Sequence, residues 1–64
     1  METIKKGLDK MGINYKEDID INKEPMIFIL DNIDIAMRYI YRYYSNKYNI
    51  KYDYGTDNLI IYSK

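Results

Sequence analysis

The sequence predicts a small α+β domain, a four-stranded, mostly antiparallel sheet with two helices packed on one face. Three observations favour this class. Two segments space their apolar residues as helices do, four shorter segments are apolar or alternate between apolar and polar residues, and their order along the chain is αββαββ. Sixty-four residues are enough for one domain only, so we treat residues 1–64 as a single unit.

The first helix is predicted over residues 3–11. Its apolar residues have i, i+4, i+7 spacing and form one stripe: Ile4, Leu8, Met11. Gly12 suits the left-handed conformation that ends many helices, and Ile13 after it is placed to contact the last turn. Gly7 lies inside the helix and costs about 1 kcal/mol relative to alanine, so the helix needs packing to persist.

The next two segments predict a hairpin of strands. Residues 15–21 alternate, which predicts one largely buried face made of Tyr15, Glu17, Ile19 and Ile21. Turn-forming residues follow at 22–25, and residues 26–30 are continuously apolar. Such a run predicts a central strand that is buried on both faces.

The central segment, residues 31–48, is predicted as the longest helix. It contains both arginines and five of the nine tyrosines of the chain. Asp31 is the expected N-cap, because a carboxylate at this position accepts hydrogen bonds from the free N–H groups of the first turn. The apolar stripe that should cover the sheet consists of Ile33, Met37, Ile40, Tyr44 and Tyr48.

The remaining residues predict a second hairpin. Residues 50–54 alternate, with Ile50, Tyr52 and Tyr54 facing inward, and residues 59–62 return after a four-residue loop. When the strands are numbered along the chain, the sheet order third, fourth, second, first makes every neighbouring pair antiparallel. We favour this order over the sequential one, which requires one parallel pair.

The residue inventory argues against an enzyme. Cysteine and histidine are absent, which excludes disulfides, the common zinc sites and the usual nucleophile–base pairs. Asp18 and Asp20 lie on one predicted strand face, but two carboxylates alone do not define a cation site. We therefore expect no catalytic residues, no cofactor and no metal.

No segment predicts export or membrane insertion. The first ten residues hold no apolar run of signal-peptide length, and the longest apolar run, residues 26–30, is far shorter than the ~20 residues of a membrane span. We expect a soluble cytoplasmic protein without a membrane partner. A chain this short buries only about 60% of its unfolded surface, so a homodimer is also expected as an alternative.

The composition has two informative biases. The net charge is zero, yet residues 1–34 carry −3 and residues 35–64 carry +3. The basic half is too weakly charged for a typical nucleic-acid footprint. Isoleucine, lysine, asparagine and tyrosine make up more than half of the chain, and all four have AT-rich codons. An AT-rich genome, such as that of a low-GC bacterium, its phage or an archaeal virus, explains much of the tyrosine excess.

The flank of the central helix is the predicted partner-binding site. Tyrosine and arginine are the residues enriched at interface hot spots, and four of them lie beside the apolar stripe: Arg38, Tyr39, Tyr41, Arg42. Asp18 and Asp20 form a second candidate, in which an acidic strand occupies a basic groove of the partner. The alternative for both sets is an ordinary solvated surface.

Three functions follow from these features. The first, which we favour, is a non-enzymatic protein-binding module, expected to be a phage or mobile-element accessory protein that inhibits a host protein such as a defence nuclease. The second is a small single-stranded nucleic-acid-binding protein, in which tyrosines stack on bases and arginines contact phosphates. The third is a structural homodimer whose interface is the same helix flank.

Overall fold

The computed structural model describes residues 1–63 and confirms the α+β class. Its elements are α1 (Glu2–Met11), β1 (Tyr15–Ile19), β2 (Pro25–Ile29), α2 (Ile33–Tyr44), β3 (Tyr48–Asp53) and β4 (Asn58–Ser63). The sheet order is β1-β2-β4-β3 with every neighbouring pair antiparallel, which confirms the predicted order. Within residues 1–63, neither helix has the length and apolar character that a membrane span requires.

The hydrophobic core lies between the two helices and one face of the sheet. Its members are Ile4, Leu8, Ile13, Ile27, Ile29, Ala36, Ile40, Leu59 and Ile61, each exposed by 3% or less. The strand members come from alternating positions of β2 and β4, and the helix members from one stripe of each helix. Both helices therefore cover the same face of the sheet, as predicted.

The end of α1 also forms as its sequence predicts. Gly12 adopts the left-handed conformation with φ 70°. The N–H of Gly12 donates to the carbonyl of Asp9 at 3.1 Å, and the N–H of Ile13 donates to that of Leu8 at 3.0 Å. These two bonds make a Schellman motif, which satisfies carbonyls of the last turn and directs Ile13 into the core.

Two predictions about strand burial are wrong. β1 ends at Ile19, and the side chains of Ile19 and Ile21 are 64% and 97% exposed, because β1 is an edge strand at the margin of the helix layer. β2 is buried on one face only. Met26 and Phe28 are half-buried on the other face, since the helices cover the side that carries Ile27.

The N-terminal boundary of α2 differs from the prediction. The helix begins at Ile33, and Asn32, with φ 49°, occupies the N-cap position without a side-chain cap hydrogen bond. Asp31 is therefore not the cap. Its carboxylate instead accepts hydrogen bonds from the backbone N–H of Asn14 at 3.0 Å and from its side-chain amide at 2.7 Å. This contact ties the start of α2 to the loop that follows α1.

The C-terminal boundary of α2 and the end of β3 also differ from the predictions. The helix ends at Tyr44, and Tyr48 is the first residue of β3 rather than part of the helix. The ring of Tyr48 still packs against that of Tyr44, with 6.0 Å between centroids. Tyr54 is exposed rather than inward, because β3 ends at Asp53, whose carboxylate accepts the N–H of Gly55 at 2.9 Å.

Candidate partner-binding site

The structure distributes the four predicted residues of the helix flank around α2. Arg38 and Arg42 are exposed on the side away from the sheet, and Tyr39 is half-buried on the side that faces α1. Tyr41 is 47% exposed on the opposite side of the helix, beside Met37. Three of the four residues thus meet between the helices. Tyr41 does not line that space, but it shares a second depression on α2 with Arg38.

The three residues meet in a depression between the helices that we call the α1–α2 groove. It has a volume of about 500 Å³ and is lined by Gly7, Lys10, Met11, Arg38, Tyr39, Arg42 and Tyr43. Each helix contributes residues three or four positions apart, which is the spacing of neighbours on one helix surface. The groove is therefore a direct product of two adjacent helices that cover the same sheet face.

Gly7 and Tyr39 form a close contact between the two helices at the groove. A Cβ atom added at Gly7 would lie 1.9 Å from the Oη and 2.5 Å from the Cζ of Tyr39. The missing side chain therefore lets the phenol ring approach the backbone of α1. The Oη of Tyr39 lies 3.3 Å from that of Tyr44, and the two rings pack edge to face at 5.6 Å.

The groove concentrates positive charge. Lys10, Arg38 and Arg42 line it, no carboxylate does, and within residues 1–63 these three cations form no ion pair. Arg42 lies over the ring of Tyr43 at 5.6 Å from its centroid, a cation–π arrangement. Asp34 lies near Arg38 in the adjacent depression but does not line the groove. Three adjacent cations without a carboxylate in the groove create a local positive potential that attracts an anionic ligand.

Burial of Tyr39 makes the stability of the fold depend on pH. Burial and the hydrogen bond with Tyr44 raise the pKa of Tyr39 to about 12, against about 10 for an unperturbed tyrosine. The neutral phenol is thus favoured in the folded state. The stabilisation that results is fully present below pH 10, the ordinary pKa, and is lost as the pH rises towards 12, because the unfolded chain ionises first.

We expect the Tyr39→Phe variant to lose stability less steeply than the wild type between about pH 10 and about pH 12. Urea unfolding followed by circular dichroism at several pH values measures this slope. Part of the slope should remain in the variant, since the hydrogen bond to Asp57 raises the pKa of Tyr52 to about 12 as well. An unchanged slope in the variant would contradict the assigned role of Tyr39.

The acidic candidates lie away from the groove. Asp18 is on β1 and faces the uncovered side of the sheet, where its carboxylate accepts the N–H of Ile19 at 2.7 Å. Asp20 follows the end of β1, and its carboxylate accepts the N–H groups of Asn22 and Glu24, both at 2.8 Å. Asp20 therefore organises the β1–β2 turn. In the described part of the chain, no three histidine, cysteine or acidic side chains cluster as metal ligands would.

Comparison of the chain with family models, with curated proteins and with solved structures found no match. The geometry and the charge of the groove therefore carry the functional proposal. Four groove residues are outside the predicted site. Tyr43 lies on α2 next to the predicted residues, whereas Gly7, Lys10 and Met11 belong to the other helix. The side of α1 that carries these residues can be identified as part of the site only when the relative position of the two helices is known.

Proposed function

We propose that this chain is a non-enzymatic protein-binding module, and that its α1–α2 groove receives an acidic segment of a partner protein. One observation carries the proposal: Lys10, Arg38 and Arg42, which form no ion pair within residues 1–63, surround two tyrosine rings in a depression without a carboxylate. Aromatic and arginine side chains give most of the binding energy at many interfaces. Cations at the edge of such a site attract and orient an acidic partner.

The proposed partner is a host protein, and the proposed effect is inhibition. Small size, AT-rich coding and the absence of histidine and cysteine support an accessory protein of a phage or mobile element, acting in the cytoplasm. A module of this kind inhibits by covering a functional surface of its target. An acidic surface of a defence protein such as a nuclease fits the charge of the groove.

Charge reversal in the groove provides the test. Immobilised protein should capture a stoichiometric partner from host lysate, and the R38E/R42E variant should lose it by at least about tenfold, because two attractive charges become repulsive at the interface. The matched control, K6E/K23E, makes the same change in net charge at two exposed lysines outside the groove. Quantitative mass spectrometry of the captured material measures both effects.

Equal capture by wild type and R38E/R42E would show that the groove does not bind the partner. Equal loss in R38E/R42E and K6E/K23E would show that net charge, rather than the groove, governs the capture. Circular dichroism of each variant must show the wild-type spectrum, so that loss of the fold is not mistaken for loss of binding.

Single-stranded nucleic acid is the second candidate ligand, since exposed Tyr43 and three neighbouring cations also suit stacked bases and phosphates. Binding through these three cations predicts an affinity for oligothymidylate that falls by about 20-fold between about 50 and about 200 mM salt. Fluorescence anisotropy with a labelled oligonucleotide measures this dependence. Absence of binding at about 50 mM salt would exclude nucleic acid as the ligand.

A further inference from the structure

The sheet face opposite the helices, which we call the open sheet face, carries two ordered rows of side chains. Cross-strand pairing sets Lys16, Phe28, Ile60 and Lys51 in the first row. It sets Asp18, Met26, Tyr62 and Asn49 in the second row. The rows run across all four strands, with the apolar residues on the two central strands and the polar residues on the two edge strands.

The centre of the open sheet face is an apolar block without a covering layer. Met26, Phe28, Ile60 and Tyr62 occupy it, all four are half-buried, and Phe28 is the one phenylalanine of the chain. No other element within residues 1–63 covers this side, because α1 and α2 both pack on the opposite face. Four large apolar side chains in one contiguous block are typical of a surface that another layer covers.

We propose that the open sheet face is the contact between two copies of this chain. A twofold axis that runs across the strands, midway between the two rows, places the first row of one copy over the second row of the other. Phe28 then lies over Met26 of the second copy, and Ile60 over its Tyr62. Lys16 of each copy lies over Asp18 of the other, so two pairs of opposite charges form along the β1 edge.

The charge pattern selects this axis over the one that runs along the strands. Rotation about the strand direction would superpose the β1 edge on the β3 edge of the second copy. Lys16 would then face Lys51, which places like charges opposite one another at both ends of the interface, with Asp20 beside Lys51 as the one nearby carboxylate among the described residues that line this part of the face. The axis across the strands avoids this repulsion and keeps the strands of the two sheets nearly aligned, the common arrangement in sandwiches.

The size of the open sheet face predicts a weak dimer. Four strands about 4.8 Å apart, each with about five residues at about 3.4 Å, give a flat footprint of about 300 Å² per copy. Such an interface belongs to the small class, below the size of stable permanent complexes. We therefore expect a weak, concentration-dependent dimer, which leaves both α1–α2 grooves exposed on its outer sides.

Charge reversal on β1 tests this interface in the full chain. Sedimentation velocity from about 5 to about 200 µM should show a monomer–dimer equilibrium for the wild type. Each single reversal, K16D or D18K, places like charges opposite one another and should weaken dimerisation by about tenfold. The double reversal K16D/D18K restores opposite charges across the axis and should recover the wild-type dissociation constant.

Two further variants distinguish the open sheet face from the groove as the dimer contact. Phe28→Thr keeps a side chain suited to a strand but removes the ring, and should weaken dimerisation by about tenfold or more. R38E/R42E changes the groove and should dimerise as the wild type does. A wild type that stays monomeric up to about 200 µM would overturn the proposal. So would a dimer in which the double reversal remains as weak as the single ones.

Discussion

Replacement of Ile40 by alanine is expected to lower the free energy of unfolding by about 3 kcal/mol, a larger loss of stability than we expect from Gly7→Ala or Tyr39→Phe. The side chain of Ile40 has 0% exposure and lies in the core that joins α2 to the sheet. Alanine is the better helix former, so the loss arises from packing rather than from helix propensity. A domain of this length has a total stability of about 3–10 kcal/mol, so the substitution should remove between about a third and all of it.

Ile35 provides the matched control for Ile40. It is the same residue type in the same helix, but it is 53% exposed. Ile35→Ala should change the free energy of unfolding by no more than about 0.5 kcal/mol, because an exposed side chain loses little packing. Urea unfolding followed by circular dichroism compares the two variants directly. Equal effects at the two positions would contradict the placement of α2 on the sheet.

Substitution of Gly7 is expected to have the second largest effect, and its sign should depend on Tyr39. In the wild type, Gly7→Ala places a methyl group where the phenol ring lies, so we expect a loss of about 1–2 kcal/mol despite the better helix propensity. In a Tyr39→Ala background the obstruction is absent. The same substitution should then stabilise the protein by about 1 kcal/mol, the ordinary difference between alanine and glycine in a helix.

The double-mutant cycle between positions 7 and 39 therefore measures the contact between the two helices. The four proteins of the cycle should show a coupling of about 2–3 kcal/mol between the two sites. Gly7→Ala with the same effect in both backgrounds would mean that the two helices do not meet at this point. Since Gly7 and Tyr39 both line the α1–α2 groove, the cycle also tests the shape of the proposed site.

The type and order of the elements are predictable because local patterns determine them. Helical spacing marks α1 and the middle of α2. Gly12 marks the end of α1, because glycine readily adopts the left-handed conformation that it has there, with φ 70°. The helical signals depend on residues that are near one another in the chain. The β2–β4 pairing joins residues that are distant in the chain, and it is predictable only because it makes every neighbouring pair of strands antiparallel.

The errors fall where distant residues decide the local structure. Asp31 has the chemistry of an N-cap, but Asn14, seventeen positions earlier, takes both carboxylate oxygens. Tyr48 continues the helical stripe, yet pairing with Ser63 places it in β3. Gly7 is unfavourable for an isolated helix, and its missing side chain is an advantage only because Tyr39 packs against it. Local propensity cannot predict these contacts, because the partner residues are distant in the sequence.

The candidate site likewise has one part that local sequence predicts and one part that depends on the packing of the two helices. The arginines of α2 are visible in the sequence as cations on one flank of a helix, and the structure brings Arg38 and Arg42 into the groove. Lys10 joins them only because α1 lies beside α2, which no local pattern predicts. Tyr41 is near these residues in sequence and lies beside Arg38, but on the flank of the helix that faces away from the groove.

The most direct test of the central proposal is a titration of ¹⁵N-labelled protein with a hexaglutamate peptide, followed by amide chemical shifts. The peptide is a minimal acidic ligand, and the three groove cations should bind it in preference to isolated surface lysines. We predict that the largest shifts occur at residues 7–11 and 38–43, and that R38E/R42E abolishes them. Shifts distributed evenly over all exposed lysines, or largest on the open sheet face, would contradict the proposed binding site.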